Sequence, residues 1–358
     1  MSIKEIAKRA GVSPATVSRV LNHPEYRCSD SAKRERIWKA AMELNYVPND
    51  AARQLRQGNR GTGVQTYYIH VLMTRAERNH TDPFYTEVLR VVESEIHRNA
   101  CILSNVWYMS LFSDERQCQR INLEKTVSDL WKETEQKCDG LIVIGKCSKT
   151  ALELLKKYFK NVVSINRNRT QRQVDEVTCD GEKIAALAVH YLVELGHTEI
   201  GYVGPCHGES RYKGFCDTLL HHGIEPNIGF VWESRQTEEA GFEIMSKILQ
   251  TTDVPTGIYC AHDIIAIGML KALKKTKNRF FSISVISSDD IEQAQFTSPM
   301  LTTIALPKND MGRFAVYLLL DRIAGRHEAI ATLELEGFLK IRESCVPAED
   351  SQWCDYYI

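Results

Sequence analysis

The chain has 358 residues, with 45 lysines and arginines against 46 aspartates and glutamates. That length calls for about two to three domains. Its eleven cysteines are scattered, with no C-x-x-C pair and no zinc-finger spacing to histidines, so reduced thiols in a cytoplasmic protein are expected rather than a disulfide framework. The start, MSIKEIAKRAG, lacks the apolar run of a signal peptide, and no stretch approaches the ~18 apolar residues of a membrane span.

The formal charge of −1 hides an asymmetry. Residues 1–60 carry twelve basic and six acidic side chains, so the remainder carries −7. A basic head on an acidic body points to a polyanion as partner of the head alone. Ile3, Ile6, Ala7 and Ala10 recur at helical spacing, and Gly11 can end that helix in the left-handed conformation. Ser13 then suits an N-cap, and Pro14 the first position of a second helix running to about Asn22. Val17, Val20 and Leu21 form its inner stripe and leave Ala15, Thr16 and Arg19 facing out. A third helix over about 30–45 turns Ile37, Trp38, Ala41 and Leu44 inward, and Tyr46-Val47-Pro48 stops it.

Two short helices joined by a tight turn make a helix-turn-helix, whose second helix enters the major groove. Thr16 would meet a thymine methyl or a phosphate, and Arg19 a guanine or the backbone. The same periodicity suits a three-helix packing unit with no nucleic-acid role, and spacing does not separate the two.

From Tyr67 onward the pattern changes. YYIHVLM, ACILSNVW, CDGLIVIG, KNVVSIN, EIGYVG, TGIYCA and SISVISSDD are strand-like runs. Between them lie helical patterns opening at Asp82-Pro83 (Val88, Leu89, Val92 and Ile96 on one side), around Lys125–Gln136, at Lys183–Leu195, from about Ser210 and near Ile264–Lys275. In the helix 183–195, Ile184, Leu187, Ala188, Tyr191 and Leu192 are expected inward, with Gly196 as the stop. Alternating strands and helices argue for parallel α/β sheets, and the stretch is long enough for two doubly wound lobes. Ligands bind such sheets beyond the carboxyl ends of the strands.

The run IKEIAKRAGVSPATVSRVLNHP resembles the head of the LacI/GalR family of bacterial transcription regulators, and NYVPNDAARQLRQG resembles that family's hinge. The resemblance implies DNA contacts from Ser13, Pro14, Ala15, Thr16, Ser18, Arg19 and Asn22. It also implies a hinge helix carrying Asn49, Ala52 and Leu55 that folds when two subunits sit on a pseudo-palindromic operator. Leu55 would wedge into the minor groove and kink the duplex. A helix that short is marginal alone in water, so coupling of its folding to DNA is physically coherent.

Runs through the body, among them VVSINR, SRYKGF, AHDIIAIGMLKAL, SDDI and LTTIALPKNDMGRFAVYLLLDRIAG, are similar to the same family's periplasmic-binding-protein-like sensor. The implied architecture is a helix-turn-helix domain at 1–46 and a hinge and linker at 47–60. A sensor at 61–345 follows, of lobes about 61–167 with 301–325 and 168–300 with 326–345, and then a tail at 346–358. Effector contacts implied by the resemblance are Phe84, Asn166, Arg211, Gln236, His262 and Asp289. Arg and Asp converging in a cleft with aromatic faces suit a carbohydrate. Thr74, His80 and Trp232 are further residues that could line a cleft, with nothing in the sequence to decide.

The chain departs from the family pattern where His262 stands for the usual Asn. Binding that depends on pH near 6–7 is therefore expected, since histidine loses its acceptor when protonated. Ser287-Ser288 also replace the usual Gly and aromatic before Asp289, and Gly181 follows Asp180 in place of the common Asn.

No catalytic, cofactor or metal pattern stands out. G-x-S-x-G, H-E-x-x-H and the P-loop are absent. His221-His222 are adjacent rather than one helical turn apart, and Cys206-His207 are too close in sequence for a nucleophile–base geometry. The expectation is a homodimeric, sugar-responsive repressor rather than an enzyme or a membrane protein. The alternative is a solute-binding protein with no DNA role, which would carry an export signal and no basic head.

Overall fold

A computed structural model describes residues 3–14, 16–17, 20, 33, 36–37, 39–40, 66–77, 80–168, 173–275 and 283–348. The chain divides into two compact units, Met1–Gln65 and Thr66–Ile358.

In the first unit Ile3–Ala10 is an α-helix. It closes at Gly11, whose φ of +65° lets the Val12 amide turn back to the Ala7 carbonyl. The Ser13 hydroxyl caps the next helical turn, accepting from the Thr16 amide at 3.2 Å. Ile6, Ala7, Ala10, Val17, Val20, Ile37 and Ala40 form one buried cluster. Val17, Val20 and Ile37 thus face inward as their spacing indicates, and Ala40 joins them. Leu21, Trp38, Ala41 and Leu44 lie outside the described residues, as do Ala15, Ser18, Arg19, Asn22, Asn49, Ala52 and Leu55.

The second unit holds two six-stranded sheets. The strands are β1 (Tyr68–Met73), the short pair β2 (Ala76–Glu77) and β3 (His80–Thr81), β4 (Ile102–Tyr108), β5 (Gly140–Ile144), β6 (Val162–Asn166), β7 (Asp175–Cys179), β8 (Ile200–Gly204), β9 (Val231–Glu233), β10 (Gly257–Cys260), β11 (Ser284–Asp289), β12 (Thr302–Ala305), β13 (Thr332–Leu335) and β14 (Phe338–Lys340). One sheet runs β13-β7-β6-β5-β1-β4, and every neighbouring pair in it is parallel. The other runs β14-β12-β11-β10-β8-β9, parallel except for β14. The strands β5, β6, β7, β8, β10 and β11 are buried along their whole length, as a sheet covered on both faces requires.

The lobe boundaries differ from the expected ones. β7 and β13, expected in the second lobe, belong to the first sheet, while β12, expected in the first lobe, belongs to the second. The chain therefore crosses between lobes at 179–181, 305–308 and 335–338, and helix Lys308–Ile323 packs on the first lobe. The cause is pairing: β7 fits alongside β6 from Val163↔Asp175 to Asn166↔Thr178, and β12 alongside β11. Short apolar strands such as these carry no mark of which sheet will accept them.

Helix Gly181–Glu194 corrects a second detail. Its buried stripe is Ile184, Ala185, Ala188, Val189 and Leu192, whereas Leu187 is 37% exposed and Tyr191 only partly buried. The helix packs against both its sheet and helix Ser210–His221, which turns the inward stripe towards Ala185 and Val189. Gly196 ends it with a φ of +88°. Nine cysteines fall among the described residues and all are unpaired. No helix there is long and apolar enough to cross a membrane.

Candidate functional site

The carboxyl ends of both sheets' parallel strands carry the residues that meet between the lobes. Arg75 follows β1, Asn166 ends β6 and Arg167 follows it. From the second lobe, Arg211 lies in the first turn of helix Ser210–His221, Gln236 follows β9, His262 follows β10 and Asp289 ends β11.

A cavity of ≈ 270 Å³ is lined by Asn166, Arg211, Gln236 and His262, together with Arg75 and Tyr85. A second, of ≈ 830 Å³, shares Arg75 and Gln236 with it and adds polar residues such as Thr74, Ser110 and Ser234. Four of the six expected effector residues thus come together in one cavity. Phe84 does not reach it. The Asp82 cap on the Phe84 amide turns that ring inward, fully buried, where it lies 4.3 Å beneath the Arg167 guanidinium. Its neighbour Tyr85 faces the cavity instead and donates its hydroxyl to Asn166 at 2.9 Å. Asp289 is not on the wall either; it lies behind Arg167, Arg211 and His262, 2% exposed. Trp232 stacks on Phe230 away from both cavities, and the His80 side chain is outside the described ones.

Arg167 organises the centre. It donates to both carboxylate oxygens of Asp82, at 2.8 and 2.9 Å, while its Nε stands 3.1 Å from Asp289. It joins the lobes through charge, since Asp82 belongs to one and Asp289 to the other. Burial disfavours the charged Asp82, but the charge and hydrogen bonds of Arg167 outweigh this and hold its pKa below the usual range. Asp289 behaves oppositely: burial raises its pKa to about 6, although Arg167 and Arg211 pull it down. Its backbone is also strained, with a φ of +129° that a non-glycine residue rarely adopts.

His262 accounts for a further correction. Burial first, then the charges of Arg167 and Arg211, hold its pKa well below the ordinary histidine value. Both effects favour the neutral ring, which runs against the expected titration of His262 near pH 6–7. The groups raised to about 6 are the carboxyls of Asp289 and its neighbour Asp263, which accepts from Ser287, Thr303 and the Ile291 amide.

Sequence reasoning missed Arg75, Tyr85, Arg167, Asn168 and Glu209. Asn168 donates to Glu209 at 2.9 Å and accepts from Ser210 at 2.8 Å, bracing the loop beneath Arg211. Arg167 stood in the family-like run SINR, but its partners, 85 residues upstream and over 100 downstream, become visible only when the lobes meet. Among the described residues no cluster of three or more His, Cys, Asp or Glu is set to hold a metal ion.

The chain matches two protein families: "Bacterial regulatory proteins, lacI family" over residues 2–49 and "Periplasmic binding protein-like domain" over residues 189–345. It is 30% identical over 350 residues to the HTH-type transcriptional repressor PurR of Pasteurella multocida, covering 96% of this chain and 98% of that protein. Among solved structures, a lac repressor dimer bound to operator and the anti-inducer ONPF superposes with a TM-score of 0.63 at 25% identity, covering 97% of this chain and 99% of that one. A complex of the transcriptional regulator CelR with cellobiose shares the fold, with a TM-score of 0.65 at 24% identity over 96% of this chain and 99% of that one. These matches favour a regulator of transcription over an enzyme or a solute-binding protein with no DNA role. A helix-turn-helix head, two parallel-sheet lobes enclosing a polar cavity and a full-length likeness to repressors agree: the chain belongs to the lacI family of bacterial regulatory proteins.

Proposed function

We propose that this DNA-binding regulator represses transcription from a pseudo-palindromic operator as a homodimer in the cytoplasm. A small polar effector, carbohydrate-like in its hydroxyl content, is held between the lobes and changes the operator affinity. Ser13, Pro14, Ala15, Thr16, Ser18, Arg19 and Asn22 read each half-site from a head spanning about 1–46. Asn49, Ala52 and Leu55 act from a hinge at about 47–60. Asn166, Arg211, Gln236 and His262 contact the effector, with Asp289 and Phe84 supporting them from behind.

The observation that carries this reading is the convergence of Asn166, Arg211, Gln236 and His262 on one cavity between the lobes. Residues from both lobes line it, so a ligand bound there contacts both and favours one relative arrangement. A ligand shifts an equilibrium only by its differential affinity for the two states, and a site shared by two lobes supplies that difference. Linkage is reciprocal, so operator DNA must change effector affinity by the same factor.

The test is an operator-binding titration of the full chain with a palindromic duplex bearing a central CG step. Wild type should bind it with strong salt dependence, and Arg19→Ala should lose preference for it over random duplex. Equal binding of both duplexes by wild type would sink the reading.

A further inference from the structure

The last described residue, Ala348, is tied to the end of helix Gly181–Glu194. Its amide donates to the Leu195 carbonyl at 2.8 Å, and two residues earlier the Val346 amide donates to the Ser284 hydroxyl at 3.0 Å. The chain therefore leaves the second lobe beside Leu195. Residues 349–358, EDSQWCDYYI, follow and lie outside the described ones. They bring Trp353, Tyr356, Tyr357 and Ile358 close together in sequence. Each aromatic side chain buries about 150–250 Å² when covered. Apolar surface on the order of several hundred Å² marks an interaction site.

A groove of ≈ 350 Å³ lies within reach of that exit. Ile184, Ala186 and Leu187 of helix Gly181–Glu194 form one wall, and Leu335 and Gly337 belong to the other. Lys183 pairs with Glu334 from wall to wall at 2.8 Å. A stripe along the same helix leads from the exit to the groove: Leu195, Tyr191 and Leu187, one turn apart and none of them fully buried. Leu195 and Leu187 are about 12 Å apart along the helix axis. An extended chain covers about 3.3 Å per residue, which puts Trp353 up to about 17 Å and Ile358 up to about 33 Å from Ala348. The groove also lies at the joint between the lobes. Asp180, from the crossing at 179–181, and Leu335 and Gly337, from or beside the crossing at 335–338, all line it.

We infer that residues 349–358 of the same chain run back along helix Gly181–Glu194 and seat Trp353 and the apolar residues after it in this groove, strapping two of the three crossings between the lobes. Leu187 has the spacing of an inward residue yet is 37% exposed, and an occupant of the groove supplies the apolar cover that the sheet does not. Charge does not draw the segment in. Its Glu349, Asp350 and Asp355 meet a rim that holds Asp180, Glu334 and Glu336 against Lys183. The contact is therefore apolar, and salt should strengthen it by screening the repulsion. Hinges are a few residues at element ends that absorb the change when lobes move. A segment packed on two of them favours the lobe arrangement that keeps the groove intact. This strap stands whether or not the interlobe cavity holds an effector.

The experiment uses the full chain with 5-fluorotryptophan at its five tryptophans. The 19F resonance missing from Trp353→Phe identifies the reporter. In wild type this resonance should be protected from a soluble gadolinium chelate, and Leu187→Glu in the groove wall should abolish the protection. Leu220→Glu, 50% exposed on helix Ser210–His221 and outside the groove, should leave it intact. Should Leu187→Glu fail to fold, hydrogen exchange of wild type against the chain cut after Ala348 supplies the second measurement. Amides at 179–181 and 335–338 should exchange about fivefold faster or more without the segment. A Trp353 resonance open to the chelate in wild type, or protection lost equally in Leu220→Glu, overturns the inference. So does protection that disappears on dilution, which would assign the contact to a second copy. Unchanged exchange at both crossings overturns the strap.

Discussion

Arg75, just beyond β1, donates to the side-chain carbonyl of Gln236 at 2.6 Å, and this bond ties one lobe to the other. Both residues border both cavities, so the bond stands where a ligand passing between the lobes must act. A hydrogen bond to a charged group contributes about 1.5 kcal/mol or more. Gln236→Leu should therefore weaken effector binding about tenfold in calorimetric titrations. Unchanged affinity would show that the bond plays no part in closing the lobes on ligand.

Arg167 balances two carboxylates that burial would otherwise disfavour. Arg167→Leu leaves Asp82 and Asp289 without their counter-charge, and breaking a buried pair in this way costs about 3–5 kcal/mol. Denaturant unfolding of the full chain should show that loss. Arg167→Lys, which keeps the charge but not the two-pronged contact with Asp82, should fall between the two. A loss under about 1 kcal/mol for the leucine variant would contradict the ion-pair geometry.

Asp263 and Asp289 set the expected response to pH. Burial raises both carboxyls from 3.8 to about 6, so the folded state holds their protons more tightly than the unfolded chain. Their contribution is present in full below pH 3.8 and is lost as pH rises through about 6. Melting temperatures measured between pH 7 and pH 5 should rise from this pair as pH falls. Asp263→Asn should flatten that slope. An identical slope in wild type and variant would show that the titration lies elsewhere.

Helices Glu238–Ile248 and Asp263–Lys275 approach so closely that only glycine fits at their crossing. A methyl group at Gly268 would fall on the Glu238 carbonyl oxygen, and one at Gly241 on that of Ile265. Because the obstacle is backbone, no side chain can move to accept it. Gly268→Ala should destabilise the second lobe by about 1–3 kcal/mol despite the better helix propensity of alanine. A neutral or stabilising result in chemical denaturation would refute the crossing.

The proposed role of Leu55 concerns DNA alone. Leu55→Ala should weaken operator binding while leaving effector affinity of the free protein unchanged, because an apolar wedge acts only on DNA. Fluorescence anisotropy with the palindromic duplex measures the first and calorimetry the second. Full operator affinity in the variant would exclude the wedge.

Local chemistry made much of the architecture legible. Gly11 as a helix stop, Ser13 as a cap, Asp82 before Pro83 and the apolar runs at Tyr68–Met73 and Gly140–Ile144 each follow from their own residue types. The candidate site was legible where a residue sits at a strand's carboxyl end in a motif-like run, as with Asn166 and His262. Phe84 and Tyr85 show the limit, since adjacent residues share one local context and the turn of the helix decides which faces the cavity.

Amino-acid order alone determined the alternation of strands and helices, the basic head and the family resemblance, because these depend on contacts and properties a few residues apart. Tertiary structure alone decided which sheet receives β7, β12 and β13, and that Arg167 spans Asp82 and Asp289. It also decided that burial pushes the His262 pKa down and raises two aspartates to about 6. Strand partnership and the electrostatics of a buried charge are sums over neighbours from distant parts of the chain. No local pattern carries them until the lobes have closed on one another.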